Sequence, residues 1–472
     1  MPVPQTPPRA VAVAPLLAAL VLAGCANQTP FALDSATAVP SSWAAQDAVQ
    51  TAGSATAQPP EPLHQWWQQL GDAQLAGLIT QALQTHTSMR GARAAVEQAR
   101  AQLDVQAAGQ LPAVDASGTA QRSRSAGSTR NNFQLGLDAS WEPDLFGRIA
   151  SGVRASQADL LAAQEGVAAA QVALAAEVAV NYINLRSQQQ RLQIAQQNLA
   201  AQRETAQIAQ WRVQAGLASA VAAQQARTIV EQTAAQLPAL QAGMAQSRHA
   251  LAVLTGQPPA ALDEALAASV PVPQAPATLA LAFPADTLRQ RPDVRQAEQR
   301  VRAAWERVAQ AEARRLPSLR IGGTLGLQAL TLDALTGGGA SVASLLASVS
   351  LPVFDGGALR AQVRVQQAAL EQARVGYEEA VLLALQDVED ALVALRGERQ
   401  RLERLGAAAE AAANAALLAQ NQYASGLVDF QTVLDTQRTL LSVQDSVASS
   451  AAGVATGHVR LYKALGGGWQ AL

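Results

Sequence analysis

The stretch from Leu351 to Arg438 constrains this chain more than any other. A strand-like end (Val349, Leu351, Val353) meets an Asp355-Gly356-Gly357 breaker. No proline and few glycines then interrupt a helical pattern until a turn at Ser425-Gly426. At about 1.5 Å of rise per residue, roughly seventy helical residues span on the order of 100 Å, far beyond the three turns usual in globular domains. Leu382, Leu385, Val388, Leu392, Leu395, Leu402 and Leu405 repeat at threes, fours and one seven, the spacing of a coiled-coil seam. Such a helix is a rod, and the rest of the chain has to supply the reason for one.

The N-terminus reads as a targeting segment outside the fold. Arg9 supplies a positive n-region, and Val11 to Leu22 is an apolar run too short for an ordinary membrane span. The run ends in Leu22-Ala23-Gly24-Cys25, and Cys25 is the only cysteine. Residues 1–24 therefore read as a lipoprotein signal peptide, cleaved before Cys25 and lipidated on it. An ordinary signal peptide with an incidental cysteine is the alternative. Ala26 follows, so no aspartate of the inner-membrane retention type stands there. Residues 25–60, rich in Pro, Ser, Thr, Ala and Gln without periodicity, read as an extended tether. A net charge of -2 gives no basic field, which argues against a nucleic-acid partner.

From Pro62 the text turns helical. Trp66, Leu70, Leu75, Leu78 and Leu83 mark one amphipathic helix, with Trp66 and Trp67 packed in it, and Met89 to Gln110 mark another. After the Leu111-Pro112 break, Val114, Ala116, Gly118 and Ala120 alternate with Asp115, Ser117 and Thr119. Arg122 to Asn132 read as a polar loop. Phe133, Leu135, Leu137, Ala139 and Trp141 then alternate with polar residues and Gly136, the mark of a two-faced strand. Pro143 to Gly147 break the run. A long helix follows from about Arg148 to Gln214, Gly216 turns the chain, and a return helix reaches Leu254.

A proline-rich connector comes next, and then the plan happens again. Arg291-Pro292-Asp293 starts a helix through Arg315, and Leu316-Pro317 break it. Leu319 to Leu327 alternate, Gly337-Gly338-Gly339 lie in the loop, and Leu345 to Leu351 form the last strand. Pro112 and Pro317 lie 205 apart, Phe146 and Phe354 208, and Gly216 and Gly426 210. The chain is a tandem duplication. The first repeat covers 61–256 with a hairpin at about 113–142, and the connector 257–284. The second repeat covers 285–466 with a hairpin at about 318–353, and 467–472 is a tail.

Strands that are apolar on one face and polar on the other form the wall of a transmembrane β-barrel when no globular core covers them. Four strands cannot close a barrel, and an open edge is not tolerated in lipid. Several copies must share one barrel, and three give twelve strands and twelve long helices. The expected fold is mainly α with a small β part: a trimeric barrel of coiled-coil helices beneath a shared 12-stranded transmembrane β-barrel.

Several motifs carry a resemblance. LFGR at Leu145–Arg148, RPDV at Arg291–Val294, LPVFDGG at Leu351–Gly357, YASG then VLDTQR within Tyr423–Arg438, and LYKALGGGW at Leu461–Trp469 accompany the lipobox and the duplicated hairpin and rod. Together they resemble TolC-like outer-membrane factors, closest to the lipoprotein (NodT/OprM-type) branch, over essentially the whole mature chain. The resemblance implies a homotrimer with its β-barrel in outer-membrane lipid and its α-barrel crossing the periplasm. It also implies a periplasmic adaptor, an inner-membrane pump usually of the proton-driven RND type, and export of drugs, solvents, metals or other small molecules without catalysis.

Gly216-Leu217 and Gly426-Leu427 occupy the two helix-to-helix turns. A tight turn needs a residue tolerant of positive φ, and the resemblance makes these turns the tip where the adaptor docks; both readings stand. Asp435 and Arg438, three apart, share a helix face as a solvated pair. The resemblance alternatively makes them a ring near a closed periplasmic end, where three carboxylates would repel unless paired. Gln431, one turn earlier, is polar where an apolar constriction would be expected. Trp141 falls in the apolar strand phase and reads as a girdle residue.

Enzyme readings lack parts. His64, His86, His249 and His458 form no HxxxH or HExxH spacing, there is no Cys–His pair, and Gly466-Gly467-Gly468 lacks the Lys-Ser/Thr of a phosphate loop. No catalytic residue, metal or cofactor is expected beyond lipid on Cys25. Rival readings are a type I protein-secretion conduit, which shares the architecture, and a pore-free coiled-coil lipoprotein, which leaves the duplicated hairpins unexplained. Nothing in the sequence marks a substrate.

Overall fold

A proline after each repeat's first long helix removes a donor that another helical turn would need. The computed structural model, which describes residues 39–45, 63–274 and 284–469, turns both breaks into strands. In the first repeat, α1 (Ala73–Thr85) and α2 (Thr87–Ala108) lead to β1 (Ala113–Ser125) and β2 (Ser128–Trp141). Helices α3 (Arg148–Gln214), α4 (Ala220–Ala234) and α5 (Gln236–Leu254) follow. The second repeat runs α6 (Pro284–Gln290), α7 (Pro292–Ala313), β3 (Ser318–Ala329), β4 (Ser341–Ser350), α8 (Ala358–Ala424) and α9 (Phe430–Ala464). Helices α2 and α7 have 22 residues each, and α3 and α8 have 67 each, so the duplication preserves part lengths. The chain is mainly helical with a small strand part.

The residues cluster into two units. The first gathers Ala94–Gln164 with Gln296–Glu379 and contains the sheet, whose order is β1-β2-β3-β4, antiparallel throughout. Asp144 accepts from the Ala150 amide at 2.7 Å, and Asp355 accepts from Gly357 and Leu359 at 2.8 and 2.7 Å. Each aspartate thus satisfies amides that the start of a rod leaves bare. Those bonds hold the Asp355 carboxyl below its usual value. The Arg of the LFGR motif, Arg148, donates to Glu142 Oε1 through Nε at 3.2 Å and Nη2 at 2.7 Å. Farther along, Arg154 answers the buried Glu306 at 2.8 Å and ties α3 to α7.

The second unit contains an apolar core. Trp66 is fully buried, stacked on Tyr462 at 5.2 Å and edge-on to Trp67 at 5.8 Å. Arg186, also fully buried, faces no carboxylate directly among the described residues. It donates to Gln189 Oε1 and the Ala268 carbonyl at 2.7 Å each, to the Tyr182 hydroxyl at 3.0 Å, and to Gln74. Tyr182 passes the interaction on, donating to Asp72 at 2.7 Å, and burial followed by that bond pushes its pKa up to about 12. Asp72 also caps α1 through the Gln74 and Leu75 amides.

Several expectations need correction. Trp66 to Leu83 is not one helix. Gly71, at φ 66°, separates a 3₁₀ segment (Leu63–Leu70) from α1. The return helix of the first repeat is broken between Ala234 and Gln236, because Pro238 has no N–H and its ring would strike the Ala234 carbonyl. Its counterpart α9 has no proline and runs unbroken for 35 residues. Leu382 is off the α8 seam and 55% exposed. Val381, Ala384, Val388, Leu392 and Leu395 carry that seam. The last strand stops at Ser350, leaving Leu351 and Val353 outside it.

Residues 122–132 are not a loop either. They are paired strand, closed by a two-residue turn at Ala126-Gly127 with φ 49° and 83°, the positive pair of a type I′ hairpin. The tether is docked where it is described. Trp43 and Ala45 are buried against α8, Glu389 accepts from the amides of Ala44 and Ala45 at 2.7 and 3.0 Å, and Arg396 donates to the Ala45 carbonyl at 3.2 Å. The signal peptide, Cys25, the rest of the tether, 275–283 of the connector and the end of the tail lie outside the described residues.

Candidate functional site

Register decides what the sheet can do. Val114, Ala116, Gly118 and Ala120 of β1 stand opposite Ala139, Leu137, Leu135 and Phe133 of β2. Leu135, Leu137 and Trp141 in turn oppose Leu327, Leu325 and Ile321 of β3. Leu319, Ile321 and Leu325 meet Val349, Ala347 and Ala343 of β4. Every apolar strand residue that the alternation selects therefore shares one face. The other face carries Asp115 opposite Asp138, Thr119 opposite Gln134, and Thr324 opposite Ser344. Directly opposed carboxylates need solvation or donors, and Asp138 accepts from the Ser117 hydroxyl at 2.7 Å.

Leu135, Leu137, Leu325, Leu345 and Val349 remain exposed, so nothing among the described residues covers the apolar face. Among the described residues, strands β1 and β4 each have a free edge. Trp141 lies on this face at the helix end of β2, its Nε1 donating to the Gln110 carbonyl at 2.9 Å.

The helix-to-helix turns are built twice to one pattern. At the first, the Gly216 amide donates to Val213 O at 3.0 Å and the Leu217 amide to Arg212 O at 2.8 Å. At the second, Gly426 donates to Tyr423 O at 3.1 Å and Leu427 to Gln422 O at 2.8 Å. Both are Schellman closures, with glycine at φ 71° and 74°. Ser219 and Asp429 then cap the return helices. A Schellman turn commonly folds the residue after its glycine onto the helix. Here Leu217 and Leu427 stay 70% and 75% exposed, two apolar side chains held outward on a rigid turn.

Gln431, Asp435 and Arg438 come together on one face of α9. Gln431 Nε2 donates to Asp435 Oδ1 at 3.0 Å, and Arg438 Nη1 approaches the same oxygen at 3.5 Å. All three are exposed. Behind them lies a contact the sequence does not announce. Arg191, Asn198 and Thr205, seven apart on α3, meet Asp445, Gln444 and Gln437 of α9 at 2.7, 2.8 and 2.8 Å. The heptad spacing was visible, but nothing in one helix says which neighbour it meets. Past Thr205 the interface becomes apolar, with Ala209, Ala226, Ile229, Phe430 and Leu434 clustered and Arg212 over the Tyr423 ring at 4.7 Å.

The RPDV motif is a clamp. Arg291 forks onto Asp293 at 3.0 and 2.7 Å, reaches Asp387 at 2.9 Å, and donates to the Ala464 carbonyl at 2.9 Å. In the first repeat a smaller clamp does the same work, the Thr85 hydroxyl donating to Thr255 O at 2.7 Å. The described residues contain no group of three or more His, Cys, Asp or Glu placed to hold a metal ion.

The family profile described as outer membrane efflux protein matches residues 78–257 and 283–467, one segment per repeat. The chain belongs to the outer membrane efflux protein family. Outer membrane protein OprJ of Pseudomonas aeruginosa is 32% identical over 476 residues, covering 98% of this chain and 96% of its own. Toluene efflux pump outer membrane protein TtgI of Pseudomonas putida is 32% identical over 412 residues, covering 84% and 86%. The solved outer-membrane channel OprN superposes with a TM-score of 0.87 at 32% identity, covering 93% of this chain and 99% of its own. This efflux protein resides in the outer membrane, extends into the periplasm, and is a channel.

Proposed function

We propose that this efflux channel is the passive exit duct of a tripartite pump, carrying small molecules from a periplasmic adaptor and an inner-membrane pump of the RND type to the exterior. The observation that carries the reading is the sheet: one face with a continuous apolar band that no described residue covers, and two edges unpaired among the described residues. In lipid both edges must be paired, and four strands are too few to do so alone. Three copies supply twelve strands, with the polar face lining the lumen. Lipid on Cys25 adds a second hold on the membrane.

Gly216-Leu217 and Gly426-Leu427 are the adaptor-docking turns in this reading, since each presents an exposed leucine on a rigid closure. Asp435, Arg438 and Gln431 form the periplasmic gate, where Arg438 offsets the repulsion of carboxylates gathered about an axis. The name of TtgI attaches it to toluene, which favours small apolar cargo here over secreted protein.

Planar-bilayer conductance of the detergent-extracted protein tests this directly. The expected result is discrete channels from the wild type, with larger conductance and leakage of large antibiotics in Asp435→Ala. Channels unchanged by Asp435→Ala would reduce the α9 pair to a surface ion pair. A monomer with no conductance in either form would end the duct reading.

A further inference from the structure

Register makes the first hairpin a map of depth. On β1 the apolar face is written by Val114, Ala116, Gly118 and Ala120, and the next two residues of the same parity are Arg122 and Arg124. They stand opposite Asn131 and Thr129. Arg130, paired with Ser123, lies on the polar face instead. The face turned to lipid therefore changes from aliphatic to doubly cationic within one step of two residues. Both arginines are exposed, and no carboxylate pairs with either among the described residues.

The change falls at a defined level. Phe133 and Trp141 bound the apolar part of β2 on this face. Eight residues at about 3.4 Å put them roughly 27 Å apart along the strand, which at a barrel tilt of about 40° is roughly 21 Å of depth, within the ~25 Å apolar band of a membrane barrel. Arg122 stands two residues, about 7 Å, beyond the pair Ala120–Phe133. It lies toward the Ala126-Gly127 turn, the end of the hairpin away from Pro112 and Pro143 where helices join the sheet. The helices are periplasmic, so this end is the outer leaflet. Arginine on a lipid-facing position is unfavourable at mid-bilayer and tolerated near the interface. Its planar fork matches phosphate oxygens.

We propose that Arg122 and Arg124 form a binding site for the phosphate headgroup of an anionic lipid in the outer leaflet, fixing the depth of the sheet. The proposal rests on the barrel-wall reading above. The test reconstitutes the full chain in phosphatidylcholine vesicles with and without phosphatidylglycerol, and measures enrichment of a fluorescent phosphatidylglycerol around the protein. Wild type and Arg130→Ser should bind it alike. The double variant Arg122→Ser/Arg124→Ser should lose roughly 30-fold in binding, about five-fold for each surface cation. Inserted double variant binding like wild type, or equal loss in Arg130→Ser, would overturn the site. Displacement of the lipid by millimolar inorganic phosphate alone would also overturn its assignment to a headgroup. Wild type that fails to insert into either vesicle would instead overturn the barrel-wall reading beneath it.

Discussion

Arg291 and His458 are both buried, and burial penalises the charge of each, yet their surroundings resolve the penalty in opposite ways. Around Arg291 stand two carboxylates and a carbonyl within 3.0 Å. Burial alone would raise Asp293, but the bonds and charge of Arg291 outweigh it and hold that carboxyl low. His458 faces a cation. Arg399 donates to its Nε2 at 3.0 Å, so the ring must be neutral to accept, and its Nδ1 finds no partner among the described residues. Burial first, then the Arg399 charge, lowers its pKa to about 4. A depressed histidine contributes stability in full above its unfolded value of about 6.5 and loses it as pH falls toward 4. The ceiling on that loss is on the order of 3 kcal/mol. Asp293 begins to lose its contribution only below its own unfolded value of 3.8. Melting temperatures between pH 6.5 and 4.5 should therefore fall more steeply in wild type than in His458→Leu. Parallel slopes would contradict this assignment.

At the scale of elements, four helix ends share one Schellman design: Gly216, Gly256, Gly426 and Gly466, all at φ between 71° and 74°. Their surroundings differ. A Cβ at Gly216 or Gly426 would meet nothing within 4 Å, whereas at Gly256 it would meet Thr85, and at Gly466 Arg291 Cα, both at 3.1 Å. Alanine at Gly216 or Gly426 should cost about 1–2 kcal/mol from left-handed backbone alone. Gly256→Ala and Gly466→Ala should lower the melting temperature further, because each also pushes on its repeat's clamp. Equal losses at all four would show that φ decides everything. These turns were readable in the sequence, because positive φ selects a residue type. The strand ends were not. Alternation needs one apolar face, and between Arg122 and Asn132 both faces are polar, so a paired strand looks like a loop. Leu382 misleads for a related reason: leucine spacing alone does not show where the rod turns out of its seam. The return helix reads through Pro238 to Leu254 when periodicity alone is followed, and the break there follows from the donor that proline lacks.

For the whole molecule, duplication is the fact that both the sequence and the structure express most plainly: rods of 67 residues twice, and one hairpin each. The polar contacts between α3 and α9 were out of reach of the sequence, since each needs a partner some 230 to 250 residues away. The same limit applies to Asp435 and Arg438, whose pairing within one helix is readable but whose place around an axis belongs to the assembly.

The central claim is that copies of this chain complete one sheet by pairing β1 of one with β4 of the next. Within one chain those strands are the opposite edges of the sheet, about three strand spacings or roughly 14 Å apart. A disulfide reaches only about 7 Å between Cα atoms, so a bond between them must join two copies. Ala116→Cys combined in turn with Ala343→Cys, Leu345→Cys or Ala347→Cys places both thiols on the apolar face; Ala116→Cys with Ser348→Cys splits them between faces. Mild oxidation, read by mass against wild type, should give a reducible ladder ending at a trimer for at least one same-face pair and none for the split pair. Monomer from every same-face pair, in protein that has inserted, would contradict the shared barrel.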